Sequence, residues 1–371
     1  MLMITGLGSA KDLVAGRKGA FYNTLQELHQ YFERIDIIAP RITNLFGNVY
    51  IYKSGWPLIF HPFWFLKKGF EIYREQKFDL MTVHDFPPFY NGIGTRLLWQ
   101  KIKVPYVLEF HHISGYPKAA NFKEKIYANE FVWKLYWRIF GLKAKVVRVV
   151  NQKQTPEFLK KVGVSENKIV YIPSLYIDLD VFRPMGLEKE YDLIFVGRLE
   201  PNKGVDLFLN AARILKIQSA NRRTKFKILI IGDGPLSAGL KFKVKSLKLE
   251  DDVIFYGRAK DSREIAELMN KSKILVMPSY NEGGPRVVLE AMACGVPVLA
   301  TNVGLMPDFE DKSAVKIIDW NAEDIAKKAR ELLENESERN RLSRVGLEVA
   351  RQFEKKEMVK NYADALKKLL N

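Results

Sequence analysis

The sequence predicts two α/β domains, each a doubly wound, Rossmann-like parallel sheet. Three observations carry that expectation. The chain has 371 residues, too many for one ordinary hydrophobic core and suited to two domains of roughly 150–200 residues. Short Val/Ile/Leu runs with little alternation recur along it, as in parallel strands covered on both faces. Stretches of helical period separate these runs in both halves.

In order along the first half, LMITGLG, RIDIIAP, DLMTVHD, YVLEFHH and KVVRVVN are expected strands. YDLIFVGR, FKILIIGDG, DVIFYGR, KILVMPS and VPVLATN are their counterparts in the second. GAFYNTLQELHQYF and SREIAELMNKS show helical period between strands, and EKKEMVKNYADALKKLL closes the chain as an amphipathic helix. The connection between halves is placed in Ile172–Glu190, which carries two prolines and a glycine. The expected domains are 1–180 and 181–354, with the helix 355–371 packing back on the first. Facing sheets leave a cleft, and in open α/β sheets ligands bind beyond the carboxyl ends of the strands. The residues that follow each strand are therefore the ones to inspect.

Composition narrows the function classes. Hydrophobic content of 47% and charged content of 27% are those of a soluble globular enzyme rather than a disordered chain. No run approaches the roughly 18 apolar residues of a membrane-spanning helix, and the apolar N-terminus is too short for a signal peptide. The lone Cys294 excludes an internal disulfide and a cysteine-based metal cluster. The expected location is cytoplasmic, with peripheral contact at the inner face of the cell membrane as an extension. Net charge is +16 and uneven: residues 1–185 hold 26 Lys+Arg against 15 Asp+Glu, leaving 33 against 28 for the rest. Lys118–Arg148 has 8 basic and 2 acidic residues among many aromatics, and Trp56–Gln76 is a second aromatic, basic segment. Such a face suits an anionic membrane, nucleic acid or an acidic substrate, and a core helix with a solvated basic side accounts for it equally.

The second half carries the chemistry. After YDLIFV comes GRLEPNKG, where Arg198 and Lys203 stand on a tight loop between Gly197 and Gly204. Two cations there suit a diphosphate: Arg binds bidentately and Lys acts as a point charge. Gly232 and Gly234 of GDGP permit a tight turn around Asp233, itself a turn or cap residue. Gly257 and Arg258 follow the next strand and could present backbone groups to a flat base. Then comes NEGGPRVVLEAMACGVPVLA, residues 281–300. Pro285 is favourable at a first helical position, so a helix is expected to begin there. Its amino end, from Gly283 and Gly284 through Arg286 to Val287, forms an anion site. Glu282 precedes the helix and Glu290 lies inside it, a carboxylate among apolar neighbours. Isolated charges are seldom buried without a partner. Glu290 either pairs with a nearby Lys or Arg, or accepts two hydrogen bonds from a vicinal diol such as ribose.

In the first half, Gly19 stands at a helix start, where it could approach phosphates from the opposite wall. GLGSAKDLVAG lacks a proper G-x-G-x-x-G, which disfavours a dinucleotide oxidoreductase. Glu109, His111 and His112 end one strand, and His84 and Asp85 another. Histidines there can donate hydrogen bonds to substrate, and their spacing does not favour a metal.

Taken together, EGGPRVVLEAMACGVPVLAT with its E-x7-E spacing, NVGLMPD, GRLEPNKG, GDGP and VIFYGR stand in a familiar order. The chain resembles, over nearly its whole length, retaining nucleotide-sugar glycosyltransferases of family 4. Their fold is GT-B, two Rossmann-like domains facing across a deep cleft. The resemblance implies that Arg198 and Lys203 bind the donor diphosphate and stabilise the leaving group. It implies that Glu290 holds the ribose, that Glu282 touches the donor sugar, and that Gly283 to Val287 lie along the distal phosphate and sugar. Gly257 and Arg258 resemble the base-binding edge, His111 the histidine beside the reacting sugar, and His84 and Glu109 acceptor-side residues. It makes the first domain acceptor-binding and the second donor-binding.

Two departures stand out. Lys18 precedes Gly19 where a double glycine is usual, and SLYIDLDVF replaces the usual Asn-Gly-Val-Asp connection. Asp178–Asp180 mimics a D-x-D metal motif but lies in the linker, so its expected role is structural. No metal and no cofactor are expected, because Arg198, Lys203 and the helix terminus supply the positive charge. The expected partners are a nucleoside-diphosphate sugar, UDP- or GDP-linked, a glycan or lipid-linked acceptor and an anionic membrane surface, with no nucleic acid. A non-catalytic nucleotide-sugar or polysaccharide binder is the alternative.

Overall fold

The computed structural model describes residues 1–5, 20–39, 47–218 and 226–370. They form two compact units. Unit 1 comprises Met1–Ile113, Tyr127–Ser174 and Lys356–Asn371, and unit 2 comprises Ser114–Ile126 and Leu175–Lys355. The division expected at 180/181 falls at 174/175, and the segment 114–126 groups with unit 2. The physical reason for the second difference is a set of contacts with Tyr280, Asn281 and Trp320, described below.

Unit 1 is a parallel sheet. Its described strands are β1 (Leu2–Ile4), β2 (Ile35–Ala39), β3 (Val49–Lys53), β4 (Met81–His84), β5 (Tyr106–Phe110), β6 (Val146–Val149) and β7 (Ile169–Tyr171). Their order is β3-β2-β1-β4-β5-β6-β7, with every pair parallel. Central strands such as β5 and β6 are buried at every position, which is why their sequences run apolar without alternation apart from Glu109 and Arg148, which pair with each other. On one side Trp133 meets Phe89, Phe110 and Phe158 edge-on, with ring centroids 4.8, 4.9 and 5.2 Å away. The helix Lys355–Lys368 groups with this unit and buries Met358, Val359, Tyr362, Ala363 and Leu366.

Unit 2 repeats the plan with β8 (Tyr191–Val196), β9 (Ile228–Ile231), β10 (Val253–Gly257), β11 (Ser272–Met277), β12 (Val298–Thr301) and β13 (Lys316–Ile318). The order is β10-β9-β8-β11-β12-β13, again all parallel. The helices Val205–Gln218 and Ala322–Glu334 close one face, burying Phe208, Leu209 and Leu215 with Ile325, Ala329 and Leu332. The strand order reverses between β8 and β11. That is the topological switch point of unit 2, so the loops after these two strands flank its ligand crevice.

Three described strands were not expected from the sequence: β3, β7 and β13. Two of them have three residues each, and β3, VYIYK, is an edge strand interrupted by tyrosines. Among the described residues, no helix is long and apolar enough to cross a membrane, and no group of three or more His, Cys, Asp or Glu could hold a metal ion.

Candidate functional site

The loops after β8 and β11 are built against each other. A short 3-10 turn, Pro201–Lys203, ends at Gly204, whose φ of +66° an L side chain rarely adopts. A Cβ there would also stand 2.1 Å from the carbonyl oxygen of Pro278. Tyr280 N–H donates to Asn202 O at 2.8 Å, tying the second loop to the first. Lys203 is thereby aimed at Glu282, with Nζ 2.5 Å from Oε1. Ser279 Oγ donates to the same oxygen at 3.0 Å. The Lys203 and Glu282 side chains are only 18% and 14% exposed. Arg198 stands on the same loop, 72% exposed, with Nη1 2.9 Å from Glu200 Oε1. So open a pair contributes little to stability, and the guanidinium is free to exchange Glu200 for an anion.

Gly304 fixes the other side of the Glu282 loop. Its φ is +59°, and a Cβ would lie 2.3 Å from Gly283 O. Pro285 is not the first helical residue. It is the extended N-cap (φ −72°, ψ 105°) of the helix Arg286–Ala293, because the chain must still turn out of the loop there. No side chain caps this helix. Pro285 is buried, Gly284 approaches Leu175 and Leu305 closely, and the Arg286 guanidinium lies 4.6 Å from the Tyr176 ring centroid. Glu290 sits just over one turn in. Burial pushes its carboxyl up to about 7, and nearby Arg286 offsets only part of that. Its carboxylate makes no hydrogen bond or ion pair with any described residue. Of the two fates the sequence left open, pairing with Lys or Arg does not occur among the described residues.

The Gly257 carbonyl accepts Gly232 N–H at 2.7 Å, so that backbone oxygen is already engaged. Arg258 is exposed, with Nε 3.6 Å from Asp233 Oδ2. Asp233 accepts from Gly234 N–H and Ser237 Oγ, each at 2.8 Å, the turn role its motif implied. Asp178 likewise caps its own turn, accepting from Asp180 N–H at 3.1 Å. Sequence reasoning missed a further element: Asn281 Nδ2 donates to Lys118 O at 2.9 Å and to Glu124 Oε2 at 2.8 Å. Lys118 Nζ lies 5.0 Å from the Trp320 ring and 5.6 Å from that of Tyr280. The segment 114–126 is thus part of the wall beside Glu282.

In unit 1 a separate cluster forms at the ends of β4 to β6. His111 Nε2 lies 2.9 Å from Glu109 Oε2, and its ring stacks on His84 at 4.4 Å between centroids. Glu109 has no oxygen to spare. Arg148 Nη1 donates to Oε2 at 2.7 Å, and Tyr362 Oη donates to Oε1 at 2.9 Å. Burial alone would raise this carboxyl, but Arg148, His111 and Tyr362 hold it far below the usual carboxylate range. Glu109, expected on the acceptor side, is buried and holds His111 Nε2 at 2.9 Å. Arg148 is satisfied further by Ile172 O and Pro173 O, both at 3.0 Å. Burial and the neighbouring His111 push His84 down to about 3, so its imidazole is neutral at physiological pH. Next to it Asp85, raised to about 7 by burial, accepts from Tyr136 Oη at 2.5 Å. Gly19 lies outside the described residues.

Residues 180–349 match the family described as Glycosyl transferases group 1. Across this stretch the chain is similar to that family. The chain is 34% identical over 143 residues to a D-inositol 3-phosphate glycosyltransferase of Frankia alni, covering 34% of this chain and 35% of that one. It is 28% identical over 291 residues to an uncharacterized glycosyltransferase of Methanocaldococcus jannaschii, 77% of this chain and 74% of that one. The match therefore spans about a third of the Frankia relative's length and about three quarters of the archaeal one. Among solved structures, Anabaena HepE in complex with UDP aligns with a TM-score of 0.75 at 16% identity, covering 99% of both chains. Two parallel Rossmann-like sheets and this likeness give the GT-B fold expected from the sequence.

Proposed function

We propose that the chain is a retaining, metal-independent glycosyltransferase of family 4. It moves a hexose-type sugar from a UDP- or GDP-linked donor to a hydroxyl of a glycan or lipid-linked acceptor, in synthesis of cell-envelope glycans, glycolipids or glycoprotein glycans. The observation that carries this is the arrangement at the unit 2 switch point. The Lys203–Glu282 pair stands on two interlocked loops, the exposed Arg198 lies beside it, and Glu290, without a partner among the described residues, lies on the adjoining uncapped helix. In this reading Arg198 and Lys203 take the diphosphate, Lys203 keeping one N–H on Glu282 and offering the others. The helix amino end at Gly283–Val287 takes the distal phosphate, and Glu290 takes the ribose hydroxyls. The HepE complex makes UDP the first nucleotide to test.

The reaction then needs positioning and charge stabilisation rather than a side-chain nucleophile. The bond from the anomeric carbon to the distal phosphate oxygen breaks as the sugar gains oxocarbenium character. The acceptor oxygen bonds that carbon on the same face, and its proton passes to the departing phosphate oxygen. His111, held by Glu109, is the unit 1 residue assigned to the reaction. Incubation of the full chain with UDP- and GDP-sugars and candidate acceptors, with nuclear magnetic resonance of the product, tests the proposal. The expected product keeps the donor's anomeric configuration and forms in EDTA. An inverted product, or donor binding without turnover on any acceptor, would instead support an inverting enzyme or the binding-protein alternative.

A further inference from the structure

Unit 1 presents apolar side chains to solvent in two ordered groups. Gly55–Phe60, GWPLIF, is a run of consecutive exposed residues, and Phe63 is exposed just beyond it. Ile59 is 64% exposed. The helix His61–Glu75 buries His61, Trp64 and Phe65 from the same segment, so packing uses one side and leaves the other bare. The second group lies on Glu130–Gly141. Trp133, Tyr136, Trp137 and Gly141 face inward. Phe131, Leu135, Ile139 and Leu142 recur at the spacing of one helical face and are exposed, Phe131 at 73%. Scattered apolar residues on a surface mean little, but two ordered groups of this size mark an interaction face.

Both segments brace the helix Tyr90–Ile102. A Cβ at Gly94 would stand 2.9 Å from Pro62 Cα, and one at Gly92 would stand 1.9 Å from Tyr136 Oη. The charge is predominantly basic. No Asp or Glu occurs from Ser54 to Phe70 or from Phe131 to Pro156; Glu130 and Glu71 at their edges each face one lysine, Lys134 at 3.6 Å and Lys68 at 2.5 Å. Lys134, Arg138, Lys143 and Lys145 are exposed and interleave with the second apolar row. Nucleic acid would engage these cations but leave Ile59, Leu135 and Ile139 in water. An anionic bilayer accepts both, apolar side chains at the headgroup boundary and cations on lipid phosphates.

We propose that Trp56–Phe63 and the outer face of Glu130–Leu142 seat unit 1 on an anionic membrane. This deepens the reading of the acceptor as lipid-linked. Its test needs neither donor nor turnover, so the two can fail separately. Flotation of the full chain is measured with phosphatidylcholine vesicles, with and without about one third phosphatidylglycerol, at low and high salt. Wild type is expected to float with the anionic vesicles and to be released by salt. The pairs Ile59→Glu/Phe60→Glu and Phe131→Glu/Leu135→Glu should each weaken binding by at least about tenfold while keeping the wild-type melting temperature. Phe242→Glu, at an exposed phenylalanine of unit 2, should bind as wild type. No flotation at low salt overturns the proposal, as does full binding by both pairs. Self-association that the same substitutions abolish, without vesicle binding, would assign the face to a second copy of the chain.

Discussion

Replacing Glu290 by Gln should make the protein more stable and less able to bind its donor. Burial raises the Glu290 carboxyl from an ordinary 4.5 to about 7. The unfolded chain releases this proton near 4.5, whereas the folded chain keeps it to about 7. Between those values the folded state holds more protons, so stability falls as pH rises through the window. Below it the group costs nothing; above it the full penalty is present. The gap from 4.5 to about 7, at 1.36 kcal/mol per tenfold, bounds that penalty at about 3 kcal/mol. Gln keeps the shape and carries no charge, but its amide is also left without a partner among the described residues, so a gain of about 2 kcal/mol is expected above pH 8. For a unit of this size that is roughly 4–8 °C in melting temperature. Thermal unfolding of both proteins at pH 5 and pH 8.5 reads the effect directly. The advantage of Glu290→Gln should be small at the lower pH and full at the higher. An equal difference at both values, or a less stable variant at pH 8.5, would refute the argument that Glu290 is a desolvated carboxylate without a partner among the described residues.

Three further outcomes are expected. Arg148→Met should cost about 3–5 kcal/mol at neutral pH, because it strands the Glu109 carboxylate in the core. Urea unfolding should show the loss shrinking in acid, where Glu109 takes up a proton, and Arg148→Met/Glu109→Gln should recover much of it. Gly304→Ala should destabilise by roughly 1–3 kcal/mol, from its left-handed φ and the collision with Gly283 O, and it should weaken nucleotide binding by displacing the Glu282 loop. Tyr362→Phe removes one donor to Glu109 and should cost about 1–2 kcal/mol in unfolding experiments, with donor binding by unit 2 unchanged.

The parallel strands were legible because strands buried on both faces must be apolar throughout, and ILII of β9 is buried at every position. Edge and three-residue strands lack that signature, which hid β3, β7 and β13. The site was legible as residue types after strands, but its wiring was not. Lys203 and Glu282 meet across 79 positions because β8 and β11 are neighbours, an adjacency no local pattern encodes. Arg148 and Glu290 are both charges inside an apolar run. Arg148 finds Glu109, whereas Glu290 finds no partner among the described residues, and only the fold could separate the two cases. Tyr362 reaches Glu109 from 253 positions away, so the C-terminal helix's part in orienting His111 could not be read from its amphipathic sequence.

The central claim is that the β8–β11 crevice of unit 2 holds a nucleoside-diphosphate sugar. Calorimetric titration of the full chain with UDP, GDP and ADP and their common sugars, in EDTA, tests it most directly. One nucleotide should bind one-to-one, and Arg198→Ala/Lys203→Ala should weaken it about 100-fold, from roughly 1.5 kcal/mol per lost charge-assisted contact. Binding of none of them, or full affinity in the double variant, would contradict the assignment.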